Sequence, residues 1–251
     1  MSSVTIGGQA FRVVPWPKPD IKRAISWVMD GAKNWHGSDR TYTQDIYTST
    51  VEFMDTEDRI NALSGVLDSN QETVNLTVFN APIFAPNLNQ SGTVSCTHEV
   101  KSAKKRVHAS GGTYDMYSMS VEFRAIGASV LGTTPSLSTL HIQEAITPDH
   151  SREIGRNYTK SGAQVYASYG NDTGILQARF SQRTAEMQAI LAYLLTTARA
   201  STITLPTFPG LDYPFGYARG TGPFSAKVLD FDMTRKNLNR WDLAIDFAEV
   251  A

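Results

Sequence analysis

The residues able to do chemistry in this chain are scattered rather than gathered. His36, His98, His108, His141 and His150 form neither an H-E-x-x-H motif nor a paired-ligand spacing. Cys96, the single cysteine, would share one strand face with His98. A structural zinc normally takes four ligands, and no second pair is available to complete that set. One thiol also excludes an intrachain disulfide framework. No G-x-S-x-G elbow offers a serine nucleophile. Gly220-Thr221-Gly222-Pro223 lacks the later glycine and the Lys-Ser/Thr of a phosphate cradle, and reads better as a turn between strands. Carboxylates such as Asp230 and Asp232 are plentiful, but any soluble chain offers such pairs. The expectation is a protein with no metal, no cofactor and no catalytic activity.

Two groups remain that could meet a partner. Lys101, Lys104, Lys105 and Arg106 fall between two strand-like runs and read as a polar loop. Such a loop is either simply solvated or faces a partner or a passing nucleic acid; aromatics to stack on bases are not interleaved with it. Tyr213, Phe215 and Tyr217, in the run LDYPFGY, would plug a β core or a subunit interface. Exposed instead, they could stack on sugars, which gives a second functional reading: a carbohydrate- or receptor-binding β module.

The chain-wide quantities narrow the field. At 251 residues there is enough chain for one large β domain or two small ones, and a formal charge of −1 argues against a dedicated nucleic-acid binder. No apolar run is long enough to cross a bilayer, and the start MSSVTIGGQAF lacks a secretory profile, so folding in a reducing cytoplasm is expected. No Gly-Ser or Pro-rich tether separates the parts, which predicts units packed together.

The elements that would position these residues come in two sets. Val51-Glu52-Phe53 leads into DTEDRINALSGVLDSNQ and then TVNLTVFNAPIF; Ala178-Arg179-Phe180 leads into SQRTAEMQAILAYLLTTAR and then STITLPTFPGLDYPF. Both read as strand, helix, strand. Met187, Ile190, Leu191 and Leu194 fall at i, i+3, i+4 and i+7, and Ile60, Leu63 and Leu67 at i, i+3 and i+7. Thr56 is placed to cap the first helix, and Ser181 or Thr184 the second, with Glu186 in its first turn. Tyr117–Phe123 and Trp241–Phe247 alternate in the same way as closing strands. The chain is therefore read as a duplication: residues 40–127 as one β unit and 158–251 as the other. Residues 1–39 form an arm, in which Ile21, Ala24, Ile25 and Val28 suggest a short helix, and 128–157 a connecting segment. Both segments read either as arms lying on a neighbouring unit or subunit, or as ordinary packing helices.

The second unit resembles a known family. Its order is NYTKSGAQVYASY, ILQARFSQRTAEMQAILAYLL, ITLPTFPG, FSAKVLDFDMT and RWDLAIDFAEV. This is similar to the small minor tail proteins at the tip of lambda-type, long-tailed bacteriophages, within the wider group of tail-tube and distal-tail proteins. The resemblance implies a mainly β fold (α+β): two tandem β-sandwich or barrel units, each with one flanking helix. It also implies a structural virion protein, made in the bacterial host cytoplasm, that forms a ring lining a DNA channel. The implied partners are a tail tube protein and tail hub or tip proteins, with DNA only in transit and no membrane insertion. The known small proteins carry one unit and this chain carries two. A trimer of fused pairs would be a pseudo-hexamer, and a hexamer would place the units as inner and outer layers. With Cys96 alone, an iron–sulfur cluster like that of some tail-tip neighbours is not expected.

Overall fold

Runs of β-branched and aromatic residues alternating with polar ones dominate the chain, and they fold as antiparallel strands. The computed structural model describes residues 2–14, 17–31, 34–39, 45–70, 72–79, 83–107, 115–137, 140, 147–151, 154–158, 164–168, 173–205 and 224–250. The loop carrying Tyr213, Phe215 and Tyr217 lies outside these residues, as does Gly220-Thr221-Gly222. The fold is mainly β, with one seven-stranded and one five-stranded sheet, each carrying one helix, and two separate hairpins.

The first sheet opens with a hairpin, β1 (Ser2–Ile6) and β2 (Gln9–Val13). It turns at Gly7 and Gly8, whose φ values of 56° and 79° suit a tight two-residue turn. After it come β3 (Lys18–Lys22), a separate hairpin β4 (Ile25–Met29) and β5 (Trp35–Asp39), then β6 (Ile46–Asp55). The helix α1 (Glu57–Ser69), β7 (Val74–Phe79), β8 (Thr93–Val107) and β9 (Met116–Ala125) complete the unit. The strand order is β2-β1-β7-β8-β9-β6-β3. The sheet also curls back on itself: Val13 pairs with Phe53, and Val14 N–H donates to Glu52 O at 2.9 Å, so β2 meets β6 and a barrel closes. Inside lie Val4, Ile6, Phe11, Phe53, Leu76, Val121 and Phe123, with Ile60, Leu63 and Leu67 of α1 packed on them. Phe53 meets Phe11 and Phe123 edge-on, with ring centroids 6.4 and 6.2 Å away.

The second sheet is built from β10 (Thr147–Ser151), β13 (Thr173–Arg183), β14 (Ile203–Leu205), β15 (Phe224–Asn237) and β16 (Arg240–Glu249), in the order β10-β13-β16-β15-β14. Its hairpin is β11 (Ile154–Tyr158) and β12 (Gln164–Ser168), and its helix is α2 (Thr184–Leu195). Trp241, Leu243, Ile245 and Phe247 of β16 are buried at period two, as their alternation requires. On β15 the buried set shifts parity, from Ala226 and Val228 to Phe231, Met233 and Arg235. A bulge between Val228 and Asp230 absorbs the extra residue and keeps the apolar face inward.

Read by pairing, the two halves share one topology. Strand, separate hairpin, strand, helix and three strands recur as β3 to β9 and as β10 to β16. The partners recur as well: β3–β6, β6–β9, β8–β9 and β7–β8 match β10–β13, β13–β16, β15–β16 and β14–β15. Val51 pairs with Val121 as Ala178 pairs with Ile245, and Pro19 pairs with Ser49 as Pro148 pairs with Leu176. The register therefore superposes Lys18-Pro-Asp-Ile-Lys-Arg23 on Thr147-Pro-Asp-His-Ser-Arg152, a shared P-D-x-x-R.

Several sequence expectations need correction. Among the described residues between 20 and 35 there is no helix; they supply the end of β3, the strand β4 and the start of β5. The helical spacing of Ile21, Ala24, Ile25 and Val28 is overridden by strand pairing, with Lys22 opposite Ile46 and Trp27 opposite Gly37. Residues 2–22, read as an arm, are integral to the first barrel through β1, β2 and β3. Strands of the repeats thus begin at Lys18 and Thr147, ahead of the boundaries at 40 and 158. Thr56 does occupy the N-cap position of α1, without a side-chain hydrogen bond. Arg183, not Ser181 or Thr184, caps α2, and its N–H donates to Glu186 Oε2 at 2.8 Å.

Candidate functional site

The most built-up polar constellation lies where the two units meet. Arg23 leaves the end of β3 and crosses to β15, where its guanidinium donates to the carbonyls of Val228 and Leu229, on either side of the bulge's first step. It lies 5.1 Å from the centre of the Phe231 ring and 3.9 Å from Asp230. Its side chain is only 6% exposed, whereas that of Asp230 is 81% exposed. Burial pulls the Arg23 guanidinium below its ordinary value, and Asp230 and Asp45 pull it back up. Arginine suits this place because its planar fork reaches two carbonyls at once and stays charged.

Four more links tie the second unit to the rest of the chain. Arg199 Nη1 bonds Asp45 Oδ2 at 2.6 Å, with both side chains largely buried. Lys227 Nζ donates to Trp35 O of the β4–β5 hairpin. Gln188 Nε2 donates to Pro86 O at 3.0 Å, and Ser136 N–H to Ala189 O at 3.1 Å, so the β7–β8 connection of the first unit and the chain between the units are both tied to α2. The apolar core is continuous from the first unit into the second. The hairpin lies on the neighbouring unit, as an arm does, although it is made of strands. Gly37 admits it: a Cβ there would stand 2.7 Å from the Trp27 ring and 3.2 Å from Ala200 Cβ.

The basic cluster is not a loop. Lys101, Lys104, Lys105 and Arg106 lie on the outer half of the long strand β8, all exposed. Register shifts between Val100, Ser102 and Lys105 twist this stretch against β9. Lys101 meets Glu99 at 2.8 Å and Glu122 at 3.5 Å, Lys104 meets Glu57 at 2.8 Å and Asn61 at 2.9 Å, and Arg106 pairs with Asp115. Lys104 holds the Glu57 carboxyl below its ordinary range, while Glu99 raises the Lys101 ammonium and Asp115 the Arg106 guanidinium. Among the described residues, Lys101, Lys104 and Arg106 pair with four carboxylates, so the cluster is largely charge-balanced rather than a basic track. Sequence reading could not see this, because Glu57 and Asp115 reach the strand only through the fold.

The remaining candidates are brought together only in part. Cys96 and His98 do share a face of β8, but Cys96 is buried and burial pushes its thiol up to about 12, which favours the protonated form over the thiolate a metal takes. Among the described residues no three His, Cys, Asp or Glu side chains converge. Asp230 stands opposite Asp246 on paired strands, and burial, then Asp230, raises the Asp246 carboxyl. Asp232 lies two residues along on β15, exposed. The seam itself escaped sequence reading; its one visible signal was the repeated P-D-x-x-R at 19–23 and 148–152. No protein family matches this chain, and no curated protein matches it.

Proposed function

We propose that this chain is a structural, ring-forming protein of a bacteriophage tail, a distal tail or tail-tip component joining the tube to the tip or baseplate around a DNA channel. The observation that carries the reading is the duplication: two units of one topology lie in one chain, joined through a buried seam. A unit that packs on its own repeat is the element from which rings are made. The sequence resemblance to tail-tip and tail-tube proteins supplies the biological setting. The role needs no reaction centre, and the partners proposed are further copies of the chain, a tail tube protein and hub or tip proteins. The carbohydrate-binding alternative rests on Tyr213, Phe215 and Tyr217, outside the described residues, and is not carried forward.

Immunogold labelling and mass spectrometry of purified virions test the setting. The chain is expected at one end of the tail, in a copy number that is a multiple of three. A chain missing from particles would overturn the reading.

A further inference from the structure

The β4–β5 hairpin belongs to neither large sheet. Among the described strands it pairs only with itself, and its Trp35 carbonyl and Gly37 meet the second unit. We infer that this hairpin, with Arg23 at one foot and Asp45 at the other, is a brace that fixes the angle between the two units, and that this angle is the step by which the ring turns. The inference rests on the ring reading and names the residues that set its curvature, with the units side by side.

The brace sits in a notch. Pairing of β14 with β15 ends at Ile203 opposite Ala226, so β15 runs on without a β14 partner at Lys227, Val228 and Leu229. All three are held: Arg23 donates to the carbonyls of Val228 and Leu229, and Lys227 donates to Trp35 O. The chain entering β14 forms the other wall. There Arg199 Nη1 donates to Asp45 Oδ2 at 2.6 Å, and a Cβ on Gly37 would stand 3.2 Å from Ala200 Cβ. Trp27 and Gly37 oppose each other on the seated face, while Val28, one residue along, is 63% exposed. The two feet are also joined, since Ala24 N–H donates to Asp45 Oδ1 at 3.1 Å.

Apolar contact alone would not set an angle, because burial is non-directional. Directional links do so when they act at more than one place. The second place is α2, where Gln188 meets Pro86 O and Ala189 O meets Ser136 N–H. Earlier in the same connecting segment, Leu131 N–H donates to Asn87 O of the first unit at 2.8 Å, so the connection is a short strap bound at both ends. Gln188 lies about 10 Å along the helix axis from the end of α2 at Leu195, and the notch lies beyond that end. One anchor leaves a rotation free; the notch and the helix together remove it. Because the two units share one topology, the rotation that carries one onto the other can be repeated by further copies, and a repeated rotation closes a ring.

Two spin labels on the full chain test this, at Glu72→Cys in the first unit and Leu238→Cys in the second, both exposed, with the buried Cys96 left unlabelled. Pulsed dipolar spectroscopy, with labelled chain diluted into unlabelled chain, reads the angle as a distance, and negative-stain class averages read the ring. The parent is expected to give one narrow distance and rings of three chains. Arg23→Ala with Asp45→Asn, and Gly37→Ala alone, are each expected to broaden the distance at least twofold and to yield rings of mixed size or open arcs. The control is Arg59→Ala with Lys104→Ala. Arg59 also donates to a carbonyl, Ala10 O, and covers a ring, Phe11, and Lys104 also holds an ion pair, but these contacts lie inside the first unit. The control is expected to lose stability and to keep the parent's distance and rings. If the seam variants keep the narrow distance, or the control broadens as much, the brace is wrong and the ring reading stands. If the distance broadens while every ring keeps three chains, the angle is not the step. If the parent forms no ring, the ring reading fails, and the distances still decide the brace. Should one seam variant not fold, the other carries the test.

Discussion

Arg23 concentrates the physical logic of the seam in one side chain. It brings a charge to a buried place, which is tolerable because two carbonyls, an aromatic face and Asp230 replace its water. Truncation to alanine leaves those carbonyls facing a gap, so Arg23→Ala is expected to cost about 1–3 kcal/mol in urea unfolding. Arg23→Lys keeps the charge but not the fork, and should recover only part of that loss. Asp246 works in the opposite sense. Its carboxyl is raised in the folded state by burial and by Asp230, so the folded chain binds this proton more tightly than the unfolded chain does. Its contribution to stability therefore falls as pH rises through the carboxylate range, and at neutral pH the ionised pair is a net cost. Asp246→Asn should raise the melting temperature at pH 7, with the gain shrinking as the pH is lowered. At this scale the sequence was poorly legible. The lysine cluster looked basic because its counter-charges, Glu57 and Asp115, come from another element and from across a loop.

Helices and closing strands were legible because their periodicities are strong. Ile60, Leu63 and Leu67 are the buried residues of α1, and Met187, Ile190, Leu191 and Leu194 are buried in α2, on the faces their spacing defines. The β4–β5 hairpin was not legible: Ile25, Trp27 and Met29 also alternate, and the pairing with Trp35, Gly37 and Asp39 decides between the two periods. Gly37→Ala tests the hairpin's seat. The added methyl would meet the Trp27 ring at 2.7 Å, so the hairpin is expected to lift from the second unit, with a red-shifted tryptophan emission and a lower melting temperature. The bulge on β15 makes a second test. Deleting Leu229 removes the extra residue that the bulge absorbs, which would leave Val228, Phe231 and Met233 inward at regular period two and Asp230 and Asp232 outward. A cooperative unfolding transition is therefore expected to survive by circular dichroism, whereas its loss would show that the strand needs the bulge itself and not only its register.

At the scale of the molecule, duplication was visible in the sequence as a recurring strand, helix and strand, but its extent was not. The repeats begin with β3 and β10, in segments where short strands offer little hydrophobic signal and a polar P-D-x-x-R is the shared mark. The extra hairpin β1–β2 belongs to the first unit alone and closes its sheet into a barrel; Gly7 lies so close to the helix that a Cβ there would stand 2.9 Å from Val66. Among the described residues, one chain thus holds a closed sheet and an open one, joined by a buried seam. A pair built this way has a direction, and directional contacts assemble into rings or filaments. Electron microscopy of the purified full chain, with class averages taken along the symmetry axis, measures this most directly. The account predicts closed rings with three-fold or six-fold symmetry around an open centre; a population of single compact particles at every concentration would contradict it.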